Sequence, residues 1–160
     1  MLSKEFEEKL IDMMAGCWSD PLKFVQTAFH WGSGELIGYE GPDTWQIDVM
    51  NHIKKQIESG DESHIKIAVA SGHHIGKTCL IAWLIMWFMS TRPNCSIVIT
   101  AGFGDQLKGT AWRELNKWHR MALNSHWFEM TATTFSHKEN KLEWTCQART
   151  WSDEDPHKLS

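Results

Sequence analysis

The stretch Ile65 to Thr78, IKIAVASGHHIGKT, constrains the chain most. Ile65, Ile67, Ala68, Val69 and Ala70 make an apolar run of the kind found in a fully buried parallel strand. Gly76-Lys77-Thr78 then opens TCLIAWLIMWFM, an apolar helical run. A strand, a glycine-bearing loop and a helix that starts with Lys-Thr are the parts of a phosphate-binding loop. A helix N-terminus carries partial positive charge and unsatisfied backbone N–H groups, so it attracts phosphate. Gly76 would let the backbone approach closely. Lys77 would reach the β/γ-phosphates, and the Thr78 hydroxyl would ligate Mg²⁺. The loop proper spans Ser71, Gly72, His73, His74, Ile75, Gly76, Lys77 and Thr78. It departs from G-x-x-x-x-G-K-[ST] at one end, where Ser71 stands in the place of glycine and Gly72 follows one residue later. The competing reading is a loop whose Gly, Lys and Thr only cap a helix.

A length of 160 residues suffices for one domain with a sizeable core. The net charge of −4 gives no overall basic signature, so a nucleic-acid contact would need a local patch. Ten Trp against one Tyr point to a Trp-heavy core rather than to base stacking. Cys17, Cys79, Cys95 and Cys146 are widely spaced, with no C-x-x-C pair, which predicts a reducing compartment and no disulfide framework. No secretion signal is visible in MLSKEFEEKL. The apolar run Cys79 to Met89 is too short for a bilayer, which needs about 20 residues, so no membrane association is expected.

Taken in order, Ser3 to Ala15 reads as an amphipathic helix with Ser3 as N-cap. Cys17 to Tyr39 reads as a turn-rich aromatic arm with a short helix at Pro21 to Ala28. Gly41-Pro42 is a break, and Asp43 is placed to cap a helix over Thr44 to Ser59. Cys95 to Thr100 reads as a second buried strand. With Ile65–Ala70 it would complete a right-handed βαβ unit. Asp105 to Leu123 reads as an amphipathic helix with Leu107, Ala111, Leu115, Trp118 and Ala122 on one face. Arg113, Lys117 and Arg120 on its other side read as a solvated face, the alternative being a nucleic-acid stripe. Met130–Phe135, Lys141–Cys146 and Ala148–Trp151 read as short β pieces, with a hairpin turn at His137–Asn140.

With these residues in view, the chain resembles the N-terminal part of a tailed-phage terminase large subunit, the ATPase that packages DNA. The resemblance rests on the aromatic arm Asp20 to Gly38, Gly41-Pro42, Trp45-Gln46, SGHHIGKT and TAGFGDQ after the second strand. It implies an α/β fold: a P-loop NTPase-like parallel sheet core with flanking helices, preceded by a helical N-terminal arm. The arm would cover 1–40 and a partial P-loop ATPase domain 41–160, incomplete and β-rich at its C-terminal end. It implies ATP and Mg²⁺ as cofactors, Lys77 as the catalytic residue, and nucleotide binding at Trp45, Gln46 and positions 71–78. Thr78 would hold Mg²⁺ through the nucleotide. Gln46 would contact adenine, since an amide can pair with N6 and N7, and Trp45 would pack nearby. The competing reading of that pair is an ordinary helix start, with Trp45 in the core and Gln46 exposed.

Two features depart from the family. Terminases often carry Arg or Lys within the loop, where this chain has His73 and His74, charged only part of the time near neutral pH. No apolar strand leads into Asp153-Glu154-Asp155, so the acidic Walker B strand and the nuclease part are expected to lie outside this chain. A truncated ATPase, as a gene fragment or a partial chain, is the expectation. By resemblance the partners are double-stranded DNA, the small terminase subunit and the portal, in a homo-oligomeric ring in the host cytoplasm. The alternatives are a helicase-like translocase fragment and a non-hydrolysing nucleotide-binding or interaction module.

Overall fold

The computed structural model describes residues 2–61, 63–70, 72, 76–101 and 107–150, with side chains at 107, 108 and 150 left aside. It is an α/β arrangement of helices flanking a four-stranded mixed sheet. The helices are α1 (Lys4–Ala15), α2 (Pro21–Ala28), α3 (Thr44–Glu58), α4 (Lys77–Thr91) and α5 (Arg113–Met121). The strands are β1 (Ser96–Ala101), β2 (Phe128–Met130), β3 (Thr134–His137) and β4 (Thr145–Thr150), in the order β1-β4-β3-β2.

The helix starts follow from local chemistry. The Ser3 hydroxyl accepts from Phe6 N–H at 3.2 Å and caps α1. The Asp20 carboxylate accepts from Lys23 N–H at 3.0 Å and caps α2, with Pro21 in the first turn, where its missing N–H costs nothing. Helix α4 is apolar on all sides and packs against α2, α5 and α1, as a buried central helix should. Trp83, Met86, Trp87 and Met89 on α4 are each no more than 4% exposed.

Tryptophans tie the layers together, each presenting an apolar body and one N–H that needs an acceptor. Trp87 Nε1 donates to the Cys17 carbonyl at 2.7 Å and Trp144 Nε1 to the Met89 carbonyl at 2.9 Å. Trp112 Nε1 donates to the Thr131 carbonyl and Trp31 Nε1 to the Val25 carbonyl, both at 2.9 Å. The Arg92 guanidinium lies 4.5–4.7 Å from the ring centres of Trp87, Trp18 and Phe88. Helix α1 is tied to the turn before β2, where Glu7 accepts from Trp127 Nε1 at 3.2 Å and contacts His126.

The sheet is mixed rather than parallel. β1 runs parallel to β4, with Ile97 opposite Cys146. β3 runs antiparallel to β4, with Phe135 opposite Cys146, and β2 antiparallel to β3. Three local expectations are corrected. The run Met130–Phe135 breaks because the Thr131 hydroxyl accepts from the Thr133 and Thr134 N–H groups, making a turn between β2 and β3. Residues 141–143 form a turn, with Leu142 91% exposed, and the two expected C-terminal pieces merge into β4. The expected helix from Asp105 is π-helical over Leu107–Trp112 before α5 begins, a wide turn that accommodates the poor helix formers Gly109 and Thr110.

The largest correction concerns Ile65–Ala70. Residues 64–70 are neither helix nor strand, and Ile65, Ile67 and Val69 are 40%, 40% and 39% exposed. An apolar, β-prone run becomes a strand only when a neighbour pairs with its backbone, and none of the described strands does so. Among the described residues no helix is long and apolar enough to cross a membrane.

Candidate functional site

Helix α4 begins at Gly76, which adopts the left-handed conformation at φ 88°. A side chain there would be strained on backbone grounds alone, so glycine is required by the turn. The Gly76 carbonyl accepts from Leu80 N–H at 3.1 Å, closing the first turn. Lys77, Thr78 and Cys79 follow half-buried on that turn, where helix partial positive charge is concentrated.

Gln46, thirty positions earlier on α3, meets this turn. Its Nε2 donates to the Gly76 carbonyl at 3.0 Å, and its Oε1 accepts from Asp43 N–H at 2.8 Å. Gln46 is 3% exposed, whereas Trp45 is only half-buried. The helix-start reading that put Trp45 in the core and Gln46 outside is corrected for Gln46, which is buried, while Trp45 is partly buried and packs against the core. A Cβ added at Gly76 would meet Gln46 Nε2 at 2.8 Å and Trp45 Cζ2 at 4.0 Å. Close approach is therefore a second reason for glycine. One N–H and one lone pair of the Gln46 amide are committed to the protein; the adenine role expected of it would use the others.

The structure thus brings Trp45, Gln46, Gly76, Lys77 and Thr78 into one neighbourhood. Gly72 is exposed. Ser71, His73, His74 and Ile75 lie outside the described residues, as do positions 102–106 of TAGFGDQ and Asp153-Glu154-Asp155. Among the described residues no strand precedes Gly76–Thr78, because residues 64–70 pair with none of the described strands, so the strand half of the expected loop motif is not formed there.

Beside Gln46 and Gly76 opens a cavity of about 320 Å³, walled by the indoles of Trp31, Trp83 and Trp118. Their ring centres lie 5.1–5.9 Å apart. Among the described residues the Trp83 indole N–H is buried without a hydrogen-bond partner, a rare situation in a folded chain. Glu114 accepts from Trp118 Nε1 at 2.9 Å, and Lys117 Nζ stands 5.4 Å from the Trp118 ring centre. Lys117 thus covers an indole, while Arg113 and Arg120 are exposed. The three indoles are the part of this neighbourhood that the sequence left unassigned. Trp118 was legible as a core position, but Trp31 and Trp83 come from other segments, and no spacing rule links them.

The thiol of Cys79, next to Thr78, is pushed well above its ordinary range, first by burial and then by the Glu114 charge. Burial likewise raises Cys95 to about 11 and Cys146 to about 12, and raises Cys17. All four thiols are free and stay protonated at neutral pH. Iodoacetamide at pH 8 should therefore alkylate the folded chain much more slowly than the urea-unfolded chain, read by intact mass. Equal rates would contradict this burial. Among the described residues no group of three His, Cys, Asp or Glu could hold a metal ion.

Comparison of the chain with protein-family models, curated proteins and solved structures finds no match in any of the three.

Proposed function

We propose that the chain is a nucleotide-binding piece of a phosphate-loop ATPase. Within that class, the reading best supported is the ATP-binding portion of a phage terminase large subunit. The carrying observation is the bond from Gln46 Nε2 to the Gly76 carbonyl. It joins two segments that the resemblance had singled out separately, Trp45-Gln46 and the Gly76-Lys77-Thr78 turn.

In this reading the triphosphate of ATP lies against the opening turn of α4, with Lys77 at the β/γ-phosphates and Thr78 on Mg²⁺. The base would enter the cavity beside Gln46, where Trp31 is the one half-buried indole in the lining and Trp83 and Trp118 are buried behind it. Hydrolysis in the full-length motor would rest on positioning and electrostatic stabilisation, with little covalent chemistry from the protein. DNA, the small subunit and the portal are the partners of that motor, in a ring in the host cytoplasm.

Titration with Mg-ATP, followed by tryptophan fluorescence, tests the reading. We expect weak binding, with a Kd near or above about 1 mM, equivalent to about −4 kcal/mol. It should be lost in Lys77→Ala, and turnover should be near zero. No response to ATP or ADP would favour an interaction module instead. Brisk Mg²⁺-dependent turnover that survives Lys77→Ala would remove Lys77 from its role.

A further inference from the structure

A second cavity, of about 580 Å³, opens where α1 meets the C-terminal ends of α4 and β3. It shares no lining residue with the cavity beside Gln46. Its size falls within the range of small-molecule sites, about 300–1,000 Å³. Ile11 and Met14 of α1 and Trp127, just ahead of β2, give it apolar walls. Met14 is buried, whereas Ile11 is 54% exposed, so α1 supplies both the floor and an open rim.

The carboxylate on this wall is engaged. Glu7 accepts from Trp127 Nε1 on one oxygen and meets His126 Nε2 with the other. His137, at the end of β3, is different. It is 8% exposed and lines the same cavity. Its ring lies flat on Trp144, with 3.8 Å between centres and 8° between planes, and edge-on to Phe128 at 5.5 Å. Its Nδ1 accepts from Glu139 N–H at 3.2 Å. Burial holds its pKa below the ordinary histidine range. The ring is therefore neutral at pH 7, and its one proton sits on Nε2. That N–H has no acceptor among the described residues. A buried donor without an acceptor is unusual, and a ligand that brings one relieves its cost. Ser90 of α4, also buried on this wall, accepts from Asn124 Nδ2 at 2.9 Å, which leaves its own O–H to donate.

We infer that this cavity binds a small uncharged molecule with a carbonyl acceptor on a planar apolar body, of the aromatic carboxamide class. The acceptor follows from the unspent Nε2–H of His137 and O–H of Ser90. The planar apolar body follows from Trp127 and Ile11, against which a flat ring buries most area. The lack of charge follows from the remaining walls. Lys138 and Glu139 stand together at the rim, both exposed, so neither sign of ligand is favoured there. A carboxylate inside would share the cavity with Glu7, at a desolvation cost that two neutral donors do not offset. An ammonium would find the Glu7 oxygens already engaged by His126 and Trp127. The inference goes beyond the nucleotide reading and uses none of its residues.

Two-dimensional ¹H–¹⁵N spectra of the whole chain, without nucleotide, test it during titration with benzamide. The indole N–H signals of Trp127 and Trp144 should shift and saturate, with a Kd of roughly 1–10 mM for so small a probe. Benzoate and benzylamine, its charged counterparts of like size, should bind at least about tenfold more weakly. His137→Phe keeps a ring against Trp144 but has no N–H. It should weaken benzamide roughly threefold to tenfold, the worth of one hydrogen bond, with a urea midpoint no lower than the parent's, because an unpaired buried donor is removed. Ile11→Trp, at an exposed wall position where folding is not at stake, should block entry. No saturable shift at either indole, or shifts confined to Trp31 and Trp118, would overturn the site. Benzoate or benzylamine binding as tightly as benzamide would overturn the ligand class. Benzamide binding unchanged in either variant would overturn the placement against His137.

Discussion

Trp118→Ala should lower the unfolding free energy by about 3–5 kcal/mol, read as a shift in the urea midpoint at unchanged slope. Trp118 is 3% exposed and sits where four segments meet. Its ring centre is 4.9 Å from Phe29 at the end of α2, 5.7 Å from Trp31 in the arm and 5.1 Å from Trp83 on α4. Its indole N–H also holds Glu114, whose carboxylate would lose that donor at a half-buried position. Rings from separate elements cannot easily close over the gap, so the cavity cost adds to the lost transfer energy. A loss of this size is a large share of the total stability of a small domain, typically about 5–15 kcal/mol. Trp118→Phe keeps a ring and should cost clearly less. A loss below about 1 kcal/mol for the alanine variant, the range of exposed substitutions, would mean that the indole cluster is not packed as described.

The elements easiest to foresee were those whose signal is local. Ser3, Asp20-Pro21 and Asp43 mark helix starts by chemistry within three or four residues, and α1, α2 and α3 begin where those residues place them. Helix α4 follows from a long apolar run behind a glycine. β1 falls one residue from its expected bounds. Ile65–Ala70 misled for the opposite reason. It has the composition of a strand, but strand formation depends on a partner, and pairing is a long-range event that composition does not encode. The sheet's direction misled similarly. A parallel β1–β4 pair exists, but β2 and β3 join antiparallel through a turn built by the Thr131 hydroxyl, a bond too specific to read from β propensity. At the candidate site, Gly76, Lys77 and Thr78 were legible as a motif. That Gln46 would be buried against Gly76 was not, because a polar residue at a helix start is normally solvated.

Gln46→Ala should cost about 1–3 kcal/mol, two part-buried hydrogen bonds lost at roughly 0.5–1.5 kcal/mol each, and should loosen the turn at Gly76, whose carbonyl keeps only the Leu80 N–H as donor. The amide bridges Asp43 N–H, at the start of α3, and the Gly76 carbonyl, at the start of α4. Truncation removes both bonds at once and opens a space beside the indole-walled cavity. Gln46→Glu separates the two halves of the bridge. A carboxylate can still accept from Asp43 N–H but has no N–H for the Gly76 carbonyl, so two acceptors would face each other. The carboxylate variant should therefore be no more stable than the alanine one, although it is the closer isostere. Gly76→Ala attacks the same contact from the other side: a left-handed φ costs a non-glycine residue about 1–2 kcal/mol, and the new methyl group would press on Gln46 Nε2. Gln46→Ala relieves that clash but not the φ strain, so combining it with Gly76→Ala should lose less than the sum of the two single losses. Urea unfolding of the two single variants and the double variant measures the coupling. Strict additivity would mean that Gln46 and Gly76 do not touch in solution, and the observation that carries the nucleotide reading would go with it.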